Sequence, residues 1–138
     1  EKKLIKEFKN DARNIVFVLG KVELEQKKWI FKNITFYNYL LSNQLQEKIN
    51  SSKIVICRSG YSSIMDLAVL DKKAFFIPTK NQPEQEYLAL YLSNKKIAPF
   101  CNINNFTKDK LLELEKYTGL KVKESKLNSN LFSLFKRK

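Results

Sequence analysis

The chain has 138 residues, room for one domain with a buried core, and its 43% apolar and 29% charged content is that of a globular protein rather than a disordered one. No apolar run approaches the roughly 20 residues of a membrane-spanning helix. Histidine is absent and there are only two cysteines, Cys57 and Cys101, which excludes a disulfide framework, a histidine-built metal centre and the commonest general base. The net charge of +12 invites a polyanion, but only Arg13, Arg58 and Arg137 are arginines. Lysine is a poorer reader of bases and phosphates, so nucleic acid is not the expected partner; an anionic membrane surface suits this composition better.

Leu4, Ile5, Phe8 and Ala12 have helical spacing and predict a helix over residues 2–12. Residues 14–19 form an apolar run closed by Gly20 and predict a buried strand. Residues 22–32 are mixed and carry no firm assignment. Residues 34–37 predict a second strand, and Ser42 is a suitable N-cap for a helix to about Ile49. Residues 53–57 predict a third strand, 62–70 a helix, and 74–77 a fourth strand stopped by Pro78. Residues 85–93 predict a helix with Tyr87, Leu88, Tyr91 and Leu92 on its apolar side. A short fifth strand is expected over 97–100, and a helix capped by Thr107 to about Lys116.

Short apolar strands alternating with helices of about ten residues define an α/β chain. The expected fold is a Rossmann-like parallel sheet with helices on both faces, over residues 1–120. Residues 121–138 differ: six basic residues surround Leu127, Leu131, Phe132, Leu134 and Phe135, a pattern that fits either a docking helix or a basic amphipathic segment on a membrane surface. A doubly wound sheet normally opens on a strand. This sequence opens inside a helix, so the first strand and its loop are expected upstream of Glu1.

The chemistry concentrates between Lys53 and Leu92. Ligands of open parallel sheets bind beyond the carboxyl ends of the strands, and Cys57 marks such an end. Ser59 and Gly60 follow, then Tyr61, Ser62 and Ser63 enter a helix. Its first amides and dipole suit a diphosphate, Gly60 allows a close approach or an unusual backbone angle, and the serines add hydroxyl donors. Asp66 lies about one turn on, where it can accept from a ribose diol. The same residues also serve a plain helix start, with Ser62 as cap and Asp66 favouring the helix N-terminus. After Pro78, Gln85 and Glu86 open the next helix on the same sheet edge; they suit sugar hydroxyls or ordinary N-terminal polarity.

Strand, Arg58-Ser59-Gly60, small polar turn and acid, followed by strand, Ile77-Pro78, loop and Gln85-Glu86-Tyr87-Leu88, closely resemble the carboxyl-terminal donor-binding domain of GT-B glycosyltransferases, family 28 in particular, over about residues 34–116. The resemblance implies that Ser59, Gly60, Tyr61, Ser62 and Ser63 hold the donor diphosphate. It implies a ribose contact for Asp66, which is shorter than the family's usual glutamate. It implies sugar contacts for Gln85 and for Glu86, which stands where the family has a second glutamine. Leu41 and Leu45 fall in the region that flankers of the base occupy. A UDP-sugar is then the substrate, with no cofactor and no metal, and catalytic groups lie outside this sequence, in an amino-terminal acceptor domain or a partner subunit. The implied location is the cytoplasm, at the inner face of the membrane. Three other readings stay open: a stand-alone donor subunit of a two-chain transferase, a nucleotide-sugar hydrolase or epimerase, and a basic nucleic-acid module.

Overall fold

The computed structural model describes residues 2–21 and 25–120. The basic segment 121–138 lies outside the described residues. The chain divides into two compact units, one of Glu1–Ser51 with Thr107–Asp109, the other of Ser52–Phe106 with Lys110–Lys138.

In the first unit, α1 (Lys2–Phe8) is shorter than the apolar spacing predicts. It stops because Asp11 folds back on Arg13: the carboxylate accepts from the Arg13 backbone amide at 2.9 Å and from its guanidinium twice at 2.8 Å. β1 (Ile15–Val18) pairs in parallel with β3 (Ile34–Tyr37) in the register Ile15–Ile34 to Val18–Tyr37. Between them in sequence lies β2 (Lys28–Phe31), antiparallel to β3, so the order is β1-β3-β2. β2 lies in the stretch without a firm assignment, whereas β3 is the strand expected over 34–37. The turn between them is Lys32-Asn33 with Lys32 at φ 55°, a left-handed angle more often supplied by glycine or asparagine.

The buried side of this sheet is carried by Ile34 and Phe36. Trp29 stacks on Phe36 at 5.5 Å and 6°, and Phe17 meets the same ring at 5.6 Å. Two asparagines tie the loops down. Asn33 donates to the carbonyls of Phe8 (2.9 Å) and Arg13 (3.0 Å). The buried Asn38 accepts from the amides of Lys27 (2.7 Å) and Tyr39 (2.9 Å) and donates to Glu25 O (2.9 Å). α2 (Ser42–Ser51) begins one residue earlier than expected for a Ser42 cap. Leu41 is the residue before the first turn: its carbonyl accepts from Leu45 N at 2.8 Å, and Gln44 reaches back to its amide at 3.0 Å. That reach-back is half of a capping box, and it makes a serine hydroxyl unnecessary there.

In the second unit, β4 (Val55–Cys57) and β5 (Ala74–Phe76) pair in parallel, Val55–Ala74 to Cys57–Phe76. Successive strand residues face opposite sides, and Phe75 and Phe76 are both fully buried, so both faces of this pair are covered. The expected fifth strand is reduced to one parallel bridge, Phe76–Phe100. Pro99 has no amide to continue the ladder; its carbonyl accepts from Phe76 N at 3.0 Å instead. α3 (Tyr61–Val69) buries Ile64, Leu67 and Ala68. α4 (Pro83–Asn94) buries Leu88, Ala89 and Leu92, while Tyr87, expected on the apolar side, is exposed. A 3-10 segment spans Lys108–Lys116 in place of the expected α-helix. Its buried leucines, Leu111 and Leu114, are three apart, the period of a 3-10 turn, with Leu112 exposed between them.

Candidate functional site

β4 and β5 are parallel, so their carboxyl ends share one edge of the second unit. The segment after each strand opens a helix there. α3 starts immediately behind Gly60, and Ile64 N–H is its first amide to close on the helix, on Gly60 O at 3.0 Å. No side chain caps this start, so the expected Ser62 cap is not made; Ser62 and Ser63 lie exposed in the first turn. An uncapped helix start with two hydroxyls beside it can bind an anion.

Gly60 has φ −75° and ψ 151°, which any residue adopts, and a Cβ built there meets nothing within 4 Å. The unusual backbone angle allowed for above is not its role. Neither conformation nor packing within the protein asks for glycine here, and open space beside a helix start is what a close ligand needs. Asp66, further along α3, is exposed and unpaired among the described residues.

Two cross-links join the segments behind the strands. Arg58 donates through one guanidinium nitrogen to Ile77 O at 3.1 Å and Pro78 O at 3.4 Å. Ser59, fully buried, donates from Oγ to the backbone carbonyl of Gln85 at 2.6 Å. Its hydroxyl is thereby committed to the protein, unlike those of Ser62 and Ser63. Gln85 is held a second time, its Oε1 accepting from Thr79 N at 2.7 Å. The turn before α4 closes with Gln82 N on Thr79 O at 3.2 Å and uses Asn81 at φ 64°. Glu86 follows, exposed, in the first turn of α4, where Pro83 supplies a preset first helical angle.

The structure therefore brings Ser59, Gly60, Tyr61, Ser62 and Ser63 together with Gln85 at one edge, and places Asp66 and Glu86 on the two helices that start there. Leu41 and Leu45 belong to the first unit and keep 56% and 39% of their surfaces exposed. The residues missed by sequence reasoning are Arg58 and Thr79. Arg58 stands in the Arg58-Ser59-Gly60 motif but its role does not show there, because its carbonyl partners lie 19 and 20 residues away; Thr79 bonds a side chain six residues on, and nothing in the sequence marks it. Burial pushes the thiol of Cys57, at the end of β4, up to about 12, which favours its protonated form. Burial also raises the Cys101 thiol.

This architecture is that of the carboxyl-terminal half of GT-B glycosyltransferases. A glycosyltransferase from Streptomyces nogalater, SnogD, superposes with a TM-score of 0.60 at 12% identity, over 98% of this chain and 33% of its own. The glycotransferase of kitacinnamycin gives 0.62 at 15%, over 99% and 34%. At such identities the likeness concerns the fold. The chain belongs to the glycosyltransferase family 28 C-terminal domain family, whose model matches residues 2–130. Among curated relatives, the UDP-N-acetylglucosamine--N-acetylmuramyl-(pentapeptide) pyrophosphoryl-undecaprenol N-acetylglucosamine transferase of Haemophilus ducreyi is 29% identical over 73% of this chain and 30% of its own length. The same-named protein of Prochlorococcus marinus is 31% identical over 89% and 34%. The chain thus spans about a third of the length of the curated relatives it matches.

Proposed function

We propose that this domain binds the nucleotide-sugar donor of a glycosyltransferase. The donor is a UDP-sugar, and N-acetylglucosamine or a related hexose is the group transferred. The observation that carries the proposal is the conjunction at one sheet edge: an uncapped helix start behind a glycine that the protein itself does not need, hydrogen-bonded through Ser59 to the start of a second helix bearing Gln85 and Glu86.

The chemistry follows from this arrangement. The first turn of α3, with the hydroxyls of Ser62 and Ser63, holds the diphosphate and stabilises the negative charge it gains as the glycosidic bond to the sugar breaks. Asp66 accepts from the ribose diol, and Gln85 and Glu86 contact the sugar. Leu41 and Leu45 are the proposed base-flanking residues. No metal is required in this scheme, because amides and hydroxyls take the developing charge. An acceptor-binding amino-terminal domain or partner subunit supplies the group that deprotonates the acceptor. The relatives' names specify a pyrophosphoryl-undecaprenol acceptor. A lipid-linked acceptor would place the full enzyme at the cytoplasmic face of a membrane, a location its lysine-rich surface suits.

Calorimetric and thermal-shift titration of the full-length protein tests the proposal. UDP and UDP-sugars should raise the melting temperature, whereas oligonucleotides should not. A flat response to every nucleotide diphosphate and nucleotide sugar would sink it. Release of free sugar without any acceptor would instead favour the hydrolase alternative.

A further inference from the structure

We infer that Ser59 is a positioning residue rather than a diphosphate ligand: it holds the start of α4 so that Gln85, its amide turned by Thr79, meets the donor sugar through its N–H donors. This deepens the donor-site proposal and rests on it.

The geometry is specific. Ser59 has no exposed surface, and its Oγ lies 2.6 Å from the Gln85 carbonyl, 26 residues away in sequence. That carbonyl belongs to the first turn of α4, so the bond sets where α4 begins relative to the Ser59-Gly60 turn. The side chain of Gln85 is oriented independently. Thr79 N–H can only donate, and its 2.7 Å contact fixes Oε1 as the amide atom facing it. Nε2 is left pointing elsewhere, with no partner among the described residues. Gln85 then has its two N–H donors, rather than the oxygen held by Thr79, available to a ligand.

Glu86 has the opposite character: an exposed carboxylate accepts and cannot donate. Adjacent on α4, the two residues ask for a sugar that presents an acceptor oxygen to Gln85 and a hydroxyl or amide N–H to Glu86. Neutral hexoses and N-acetylhexosamines satisfy both. A uronic acid sets its own carboxylate near that of Glu86 and is disfavoured by like charge.

Two variants of the full-length protein separate this role from a direct one, read by titration with UDP, UDP-glucose, UDP-galactose, UDP-N-acetylglucosamine and UDP-glucuronic acid. Wild type should bind at least one neutral UDP-sugar more tightly than UDP, and UDP-glucuronic acid less tightly than that sugar. Ser59→Ala should keep UDP affinity within about twofold and lose the sugar-dependent gain, because the hydroxyl it removes faces Gln85 and not the phosphates. Gln85→Glu keeps an acceptor for Thr79 N–H but replaces the donors; it should fold normally, bind UDP as before and lose the same gain. Loss of UDP and UDP-sugar affinity by the same factor in Ser59→Ala would make Ser59 a diphosphate ligand and overturn the inference alone. So would unchanged sugar preference in either variant, or no neutral sugar binding better than UDP. Failure of wild type to bind any of these nucleotides would overturn the donor-site proposal as well.

Discussion

The guanidinium of Arg58 donates to the carbonyl of Ile77 at 3.1 Å, tying the residue after β4 to the residue after β5. Two neighbouring parallel strands thus have their carboxyl-end loops joined by one side chain, which also reaches Pro78 O at 3.4 Å. Arg58→Ala should cost about 1 kcal/mol, since bonds from a charged donor exceed that but this side chain remains partly solvated. That is about 3 °C in melting temperature for a chain of this size. Thermal unfolding of the variant against wild type checks it.

Asp66 and Gly60 should separate binding from stability. Asp66 is exposed and unpaired among the described residues, and the space beside Gly60 is open. Asp66→Ala and Gly60→Trp should therefore leave the melting temperature of the unliganded full-length protein within about 0.5 kcal/mol of wild type. Both should abolish the upward shift produced by UDP, the first by removing the ribose contact and the second by filling the ligand's place. A retained shift in Gly60→Trp would show that nothing approaches the turn.

Phe36 should be a stability centre of the first unit, and the only tryptophan reports on it. Trp29 stacks on the Phe36 ring, which is buried between it and Phe17. Phe36→Ala should cost about 3 kcal/mol through lost burial and the cavity left behind. Trp29 emission should shift to the red in the folded variant as its stacking partner disappears.

Asp11 gives a pH signature. Hydrogen bonds from the Arg13 side chain and backbone hold its carboxyl well below the usual carboxylate value of 3.8. A carboxyl depressed in the folded state contributes stability that is present above its unfolded value and is lost as pH falls toward the folded one. Asp11→Asn should therefore be less stable than wild type near neutrality. The gap should close as pH drops below about 4, measured by urea unfolding across that range.

Cys57 gives the opposite sign at the alkaline end. Burial raises its thiol from 9.0 to about 12. The folded state then keeps a proton that the unfolded chain releases, so stability contributed by this group falls as pH rises from 9.0 toward 12. At about pH 8.5 iodoacetamide should modify Cys57 in the native protein far more slowly than an unperturbed thiol, and as fast as one after unfolding in urea.

The amino-acid sequence by itself determined the α/β class, four of the five strands and the edge where the site lies. Runs such as residues 74–77 are apolar enough to be buried on both faces, and Pro78 ends its strand for a local reason. Small residues before α3 and the acid and amide of α4 are likewise local signals. Other features depended on tertiary contacts. The β2 hairpin turns at a lysine in the left-handed region, which has no distinct sequence mark. The fifth strand shrank to one bridge because Pro99 cannot donate. Ser59 reads in sequence like Ser62 and Ser63, a hydroxyl near a helix start. Only the folded chain, by bringing Gln85 O within 2.6 Å of it, turns that hydroxyl inward and leaves the other two at the surface. Apolar periodicity and turn chemistry are written over a few residues, whereas the partner of a buried polar group is chosen by packing across 26.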